Sequence, residues 1–170
     1  IACVLGRLGL RTLIPVDWEK HVDEIIPYCR RFGVECLKVT GKLGTQGRQD
    51  AVRRLQESKI DAIVSTRVMD TGIDLPELAA IIDAGFKSDS TTTEQTAGRI
   101  RRKKTEQDNI SFYFVICDYT SGMLIGRHRK ILKTLATIAG TVFHEVETPL
   151  ELNILLPRII QEERGKQHAA

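Results

Sequence analysis

The stretch IVSTRVMDTGIDLPELAAIIDAG, residues 63–85, holds two apolar runs separated by a loop of turn-forming and charged residues. The first run belongs to IDAIVST (60–66), whose centre is too apolar for a half-solvated strand and suits an interior position in a parallel sheet. The second, LAAIIDAG (78–85), reads as another strand. Between them stand Thr66, Asp70, Gly72, Asp74 and Pro76. In open α/β sheets, ligands bind beyond the carboxyl ends of the strands, where these residues fall. Gly72 and Pro76 also serve as turn punctuation, and either aspartate as a local turn cap, so a ligand loop and a plain turn are both open at this point.

Outward from that stretch the same alternation continues. TLIPV (12–16) reads as a strand, and WEKHVDEIIPYCRRFG (18–33) as a helix that Gly33 ends and that Pro27 should kink or shorten. ECLKV (35–39) is a strand, TQGRQDAVRRLQES (45–58) a helix, and ISFYFVICD (110–118) a fifth strand. Strands alternating with amphipathic helices predict an α/β fold: a parallel sheet with crossover helices. After Asp118, GMLIGRHRKILKTLATIAG (122–140) carries an apolar helical stripe, and its other face is read as Arg127, Arg129, Lys130 and Lys133. TVFHEV (141–146) is read as a short strand, and PLELNILLPRIIQEERGKQ (149–167) as a last helix broken near Pro157. The expected organisation is a core over 1–120 with a helical extension, 121–170, packed on it.

A chain of 170 residues can bury one substantial core. No apolar run is long enough to span a bilayer. The net charge of +3 is too mild to mark a nucleic-acid binder by itself, so charge distribution has to carry that argument. Aromatics at 5 % argue against base stacking as the main binding device. The four cysteines, Cys3, Cys29, Cys36 and Cys117, form no C-x-x-C pair and no metal-ligand spacing with histidine, which fits a reduced intracellular setting; Cys117 is expected in the core. The first residue is Ile, and the expectation is a piece of a longer protein.

The charge is concentrated in TTEQTAGRIRRKK, residues 92–104. Thr91 and Glu94 have the S/T-x-x-E spacing of a capping box, which predicts a helix starting there. Gln95, Gly98, Arg99 and Arg102 then fall at i, i+3, i+4 and i+7, on one helical face. Glycine in that face weakens the helix by about 0.8–1 kcal/mol relative to alanine and lets the backbone approach something closely. Lys103 and Lys104 read as cations complementing the negative helix end.

Taken in order, these stretches resemble the second half of a superfamily-two helicase. STRVMDTGIDLP (65–76) resembles motif V, and QTAGRIRR (95–102) matches the motif VI pattern Q-x-x-G-R-x-x-R. RTLIPV (11–16) sits where the motif IV strand belongs, and TGKLGTQGRQDAVRRL (40–55) looks like the glycine and arginine-bearing helix that follow it. The resemblance covers residues 11–118. Within the superfamily, a motif VI that begins with Gln and trails basic residues is more similar to repair helicases of the xeroderma group B type and phage recombination helicases than to DEAD-box RNA helicases.

That resemblance implies a RecA-like domain that clamps ATP, with Mg²⁺, against an N-terminal RecA-like domain of the same parent chain. Arg102 is then similar to the arginine finger, Arg99 to its companion on the γ-phosphate, and Gln95 to the residue coupling nucleotide to the other domain. Asp74, held by the turn at Gly72, resembles the ribose-binding carboxylate. Thr66, the backbone at Gly41 and Arg48 look like contacts to nucleic-acid phosphates, DNA rather than RNA, although an intradomain bond is equally open to Arg48. No metal ligand is implied within this chain.

A phosphate-binding loop is missing. TGKL (40–43) lacks the glycine five residues before Gly41, and Leu43 replaces the required Ser/Thr. DEII (23–26) lies in a helical pattern and lacks the fourth residue of a D-E-x-D/H box. The chain is therefore expected not to hydrolyse ATP alone. A non-catalytic nucleic-acid-binding module of the same fold is the alternative. One half of a nucleotide-sugar transferase gives no reason for two arginines on one glycine-bearing face.

Overall fold

The computed structural model describes residues 1–66, 75, 78–85, 90–100, 110–116 and 122–168; at 90, 99 and 164–168 the description stops at the helical backbone. Five strands, β1 (Thr12–Val16), β2 (Cys36–Val39), β3 (Ala62–Thr66), β4 (Ala80–Asp83) and β5 (Phe112–Val115), form one sheet in the order β2-β3-β1-β4-β5. Every pairing is parallel. Among the described residues the helices are α1 (Ala2–Arg7), α2 (Glu19–Arg31), α3 (Thr45–Gln56), α4 (Ser90–Ile100), α5 (Gly122–Ala136) and α6 (Pro149–His168).

The apolar centres of β1, β3 and β4 are explained by their position, since each has a strand on both sides and helices on both faces. Ile14, Val16, Val64 and Ile82 face one layer with Leu5 of α1, Val22 and Ile26 of α2, and Leu152, Leu156 and Ile160 of α6. Leu13, Ile63 and Ile81 face the other, with Val52 and Leu55 of α3 and Ile100 of α4. Each fully buried Leu, Ile or Val contributes about 1.5–3 kcal/mol relative to exposure. A smaller cluster, Ala97 with Ile131 and Leu135, joins α5 to α4.

α2 ends as its sequence predicts. The Gly33 N–H donates to the Arg30 carbonyl at 2.9 Å and the Val34 N–H to the Cys29 carbonyl at 3.0 Å, with Gly33 at φ +75°. This is the paired closure in which glycine takes the left-handed residue and the next apolar side chain, here buried Val34, turns back into the core.

Several expectations are corrected. α2 runs through Pro27, and α6 runs unbroken through Pro157. Each proline removes one bond, to the carbonyl of Asp23 or Asn153, and both of those residues are exposed, so water can take the freed acceptor. α4 already includes Ser90, which puts Thr91 inside the first turn rather than at the cap. The capping box stands instead at the start of α6, where the Glu151 N–H donates to Thr148 Oγ1 at 3.2 Å and the Thr148 N–H to Glu151 Oε2 at 3.2 Å. Residues 141–146 form no strand. Arg127 is buried rather than on a solvated face, because Leu124, Arg127, Ile131 and Leu135 fall within one narrow stripe at 100° per residue. Cys117 lies outside the described residues. No described helix is long and apolar enough to cross a membrane.

Candidate functional site

The register sets the site's frame. Val16 of β1 is level with Thr66 of β3, and Val39 of β2 with Ser65, so Thr40 comes level with Thr66 one residue on. With strands about 4.8 Å apart, the ends of β2, β3 and β1 lie side by side over about 10 Å. Thr66 is half-buried at the middle of this edge. Gly41 is exposed in the turn after β2, which closes through the Leu43 N–H donating to the Thr40 carbonyl at 3.0 Å. The structure thus brings together two of the three residues read as phosphate contacts, with both at the carboxyl edge.

Arg48 has an intradomain task. Its Nε donates to the Leu43 carbonyl at 2.8 Å, bracing the loop that carries Gly41. At Gly47 a Cβ would stand 2.7 Å from Leu43 Cδ1, so glycine allows the first turn of α3 to lie against that same loop. Opposite, Lys42 Nζ lies 3.0 Å from Glu19 Oε2 at the start of α2, and Lys38 Nζ lies 3.1 Å from Glu19 Oε1 and 2.6 Å from Asp23 Oδ1. The bonds from Lys42, then Lys38, hold the Glu19 carboxyl below its ordinary pKa, and those to Asp23, then Glu19, raise Lys38. The Glu19–Lys42 bridge therefore links the start of α2, which follows β1, to the loop after β2.

α4 has two clearly divided faces. Thr93, Thr96, Ala97 and Ile100 are buried, while Thr91, Glu94, Gln95 and Gly98 are exposed. Gln95 and Gly98 thus share the face that spacing assigned them, and it points away from the core. A Cβ added at Gly98 meets no described atom within 4 Å. Arg99 continues the helical backbone, but its side chain is outside the described residues, as are Gly72, Asp74 and Arg102 entirely.

One polar cluster was not anticipated. Asp83, at the carboxyl end of β4 and 7 % exposed, accepts from Arg127 Nη2 at 2.9 Å, from Tyr113 Oη at 3.1 Å and from the Gly85 N–H at 3.2 Å. It ties α5 to the strand end beside α4. The available signal was a lone carboxylate ending an apolar strand, together with an arginine at an apolar stripe position. The fold also brings Cys29 and Cys36 together, from α2 and β2. A hydrogen bond between the thiols lowers Cys29 to about 7 and pushes Cys36 up. Among the described residues no three or more His, Cys, Asp or Glu side chains group as a metal site.

A five-stranded parallel sheet with helices on both faces defines a RecA-like domain. Residues 2–104 match the family described as Helicase conserved C-terminal domain, and the chain belongs to it. The matched family agrees with the helicase resemblance of the sequence motifs. Over 99 residues it is 33 % identical to UvrABC system protein B of Kosmotoga olearia, a match covering 55 % of this chain and 15 % of that protein. The chain thus spans only a small part of the curated relatives it matches. Among solved structures, the C-terminal domain of the DEAD-box protein Dbp5 superposes with TM-score 0.59 at 22 % identity, covering 81 % of this chain and 79 % of that one. S. cerevisiae Dbp5 bound to RNA and ADP BeF3 gives TM-score 0.65 at 18 % identity, covering 95 % of this chain and 41 % of that one. At these identities the structural likeness speaks for the fold alone.

Proposed function

We propose that this chain is the second motor domain of an ATP-dependent helicase or translocase acting on DNA, with a core over 1–120 and a helical extension over 121–170. One observation carries the reading: the Gln95–Gly98 face of α4 is open to solvent, and no described side chain uses the space that a Cβ at Gly98 would fill. A helix-weakening glycine on an exposed face has a use if another body closes against it. On that reading Arg99 and Arg102, which fall on this face by spacing, reach the γ-phosphate only on closure and stabilise charge in the transition state. Phosphoryl transfer depends mainly on such positioning and electrostatics. Gly72 and Asp74 would hold the ribose side, and Mg²⁺, held mainly by the first motor domain, would offset phosphate charge.

Thr66 and the Gly41 backbone, at the ends of adjacent strands, would then grip successive phosphates of one strand without reading its sequence. Arg48 serves the grip by fixing the loop and stands as a third contact. Closure and reopening of the two domains would move this grip relative to its counterpart. DNA is favoured over RNA by the Gln-led motif VI.

The test is ATP turnover by the two-domain parent with and without nucleic acid. Turnover stimulated by DNA more than by RNA, and none from the 170-residue chain alone, is the expected result. Magnesium-dependent turnover by this chain alone, or a parent indifferent to nucleic acid, would overturn the proposal.

A further inference from the structure

Trp18 is the chain's sole tryptophan, and it is 53 % exposed. It is two residues past the end of β1, in the bend that leads into α2, with φ −125° and ψ 145°. The next residue, Glu19, is bridged to Lys42, the residue after Gly41, so the chain at Trp18 lies near the loop that carries Gly41. The His21 ring meets it edge to face, with centroids 5.1 Å apart at 86°, which orients the indole.

The local charge decides what this indole can hold. Asp17, Glu19 and Asp23 are matched by Lys20, Lys38 and Lys42, and Glu19 and Asp23 are bridged to Lys38 and Lys42. With these charges balanced, the ground around the indole adds no net charge attraction for a phosphate beyond the contacts proposed at Gly41 and Thr66. An uncharged aromatic face loses nothing there and gains the indole surface, so a nucleobase is the group that fits. We infer that Trp18 is a base-stacking platform for single-stranded nucleic acid, receiving a base of the strand whose phosphates lie at Gly41 and Thr66. The inference rests on the proposed phosphate grip and adds a preference the grip lacks, since a paired and stacked duplex offers no free base face. Low aromatic content does not exclude stacking when the one indole stands near the Gly41 loop.

The test uses the 170-residue chain and an oligothymidylate, whose weakly self-stacked bases are free to transfer. Trp18 emission should be quenched on binding. Trp18→Ala, with an unchanged far-ultraviolet spectrum, should weaken single-strand binding about tenfold or more, as stacked aromatics do when removed, and leave the slope of affinity against salt unchanged. Trp18→Phe should retain most of the affinity, and blunt-duplex affinity should not change in either variant. Lys42→Ala should reduce the salt slope if that lysine meets a phosphate, which separates the two kinds of contact. Wild-type affinity in Trp18→Ala, or unchanged emission at saturation, would sink the platform while leaving the phosphate grip standing. Failure of the wild-type chain to bind any nucleic acid would overturn both.

Discussion

Replacing Gly98 with alanine separates a glycine kept for folding from one kept for a partner. The residue lies on the exposed face of α4, and the new methyl meets no described atom within 4 Å. The folded state of this chain therefore gains the helix preference of alanine without a clash, about 0.5–1 kcal/mol. For a domain of this size that corresponds to a rise in Tm of about 1–4 °C. Thermal melts of the 170-residue chain, followed by circular dichroism, measure it. In the two-domain parent the same methyl would stand where the closing surface has to approach, and ATP turnover is expected to fall tenfold or more, a barrier increase of about 1.4 kcal/mol. Higher stability with lower turnover is the signature. A lower Tm would show that Gly98 serves intradomain packing, and full turnover in a stabilised variant would show that nothing closes against this face; either refutes the reasoning.

Arg127→Ala should destabilise the chain by about 3–5 kcal/mol, because it removes the buried guanidinium that donates to the Asp83 carboxylate at 2.9 Å. With an m-value of about 2 kcal/mol/M, the urea midpoint should drop by about 2 M, and a loss below about 1 kcal/mol would show the pair to behave as a surface one. Lys42→Ala should raise the Glu19 pKa toward 4.5, and carbon-detected NMR titration reads it directly. Because the folded value is depressed, the stabilisation from Glu19 is present above about pH 4.5 and lost as pH falls through the folded value. An unchanged Glu19 midpoint in the variant would mean that the bridge does not persist in solution.

Sequence periodicity located β1 at its observed bounds and made β3 an interior strand, because burial on both faces leaves a continuous apolar run. Spacing alone likewise put Gln95 and Gly98 on one face of α4. What it missed depends on tertiary proximity. Arg127 looks like one more cation in a basic helix until Asp83 is known to end the neighbouring strand. Cys29 and Cys36 look scattered until α2 packs back on β2. Pro157 reads as a helix break because the sequence does not say that Asn153, whose carbonyl loses its helical partner, is exposed. Trp18 reads as the start of an amphipathic helix, and its place near the loop that carries Gly41 follows only from the β2-β3-β1 order and the Glu19–Lys42 bridge.

The central claim, that this domain completes an ATP site in trans, is tested most directly by the steady-state ATP turnover of the two-domain parent carrying Arg102→Ala beside one carrying Lys104→Ala. Both cations sit in one short basic run, so general charge loss affects them alike. Arg102 alone falls on the Gln95–Gly98 face by helical spacing. Arg102→Ala is predicted to lower kcat on the order of 10³-fold, with a smaller change in KM and unaltered nucleic-acid affinity, as for a group that acts in the transition state. Arg102→Lys should rescue little, since an ammonium cannot reproduce the planar fork of the guanidinium. Lys104→Ala should leave turnover near wild type. Equal losses in the Arg102→Ala and Lys104→Ala proteins, or a nearly normal kcat in Arg102→Ala, would contradict the account.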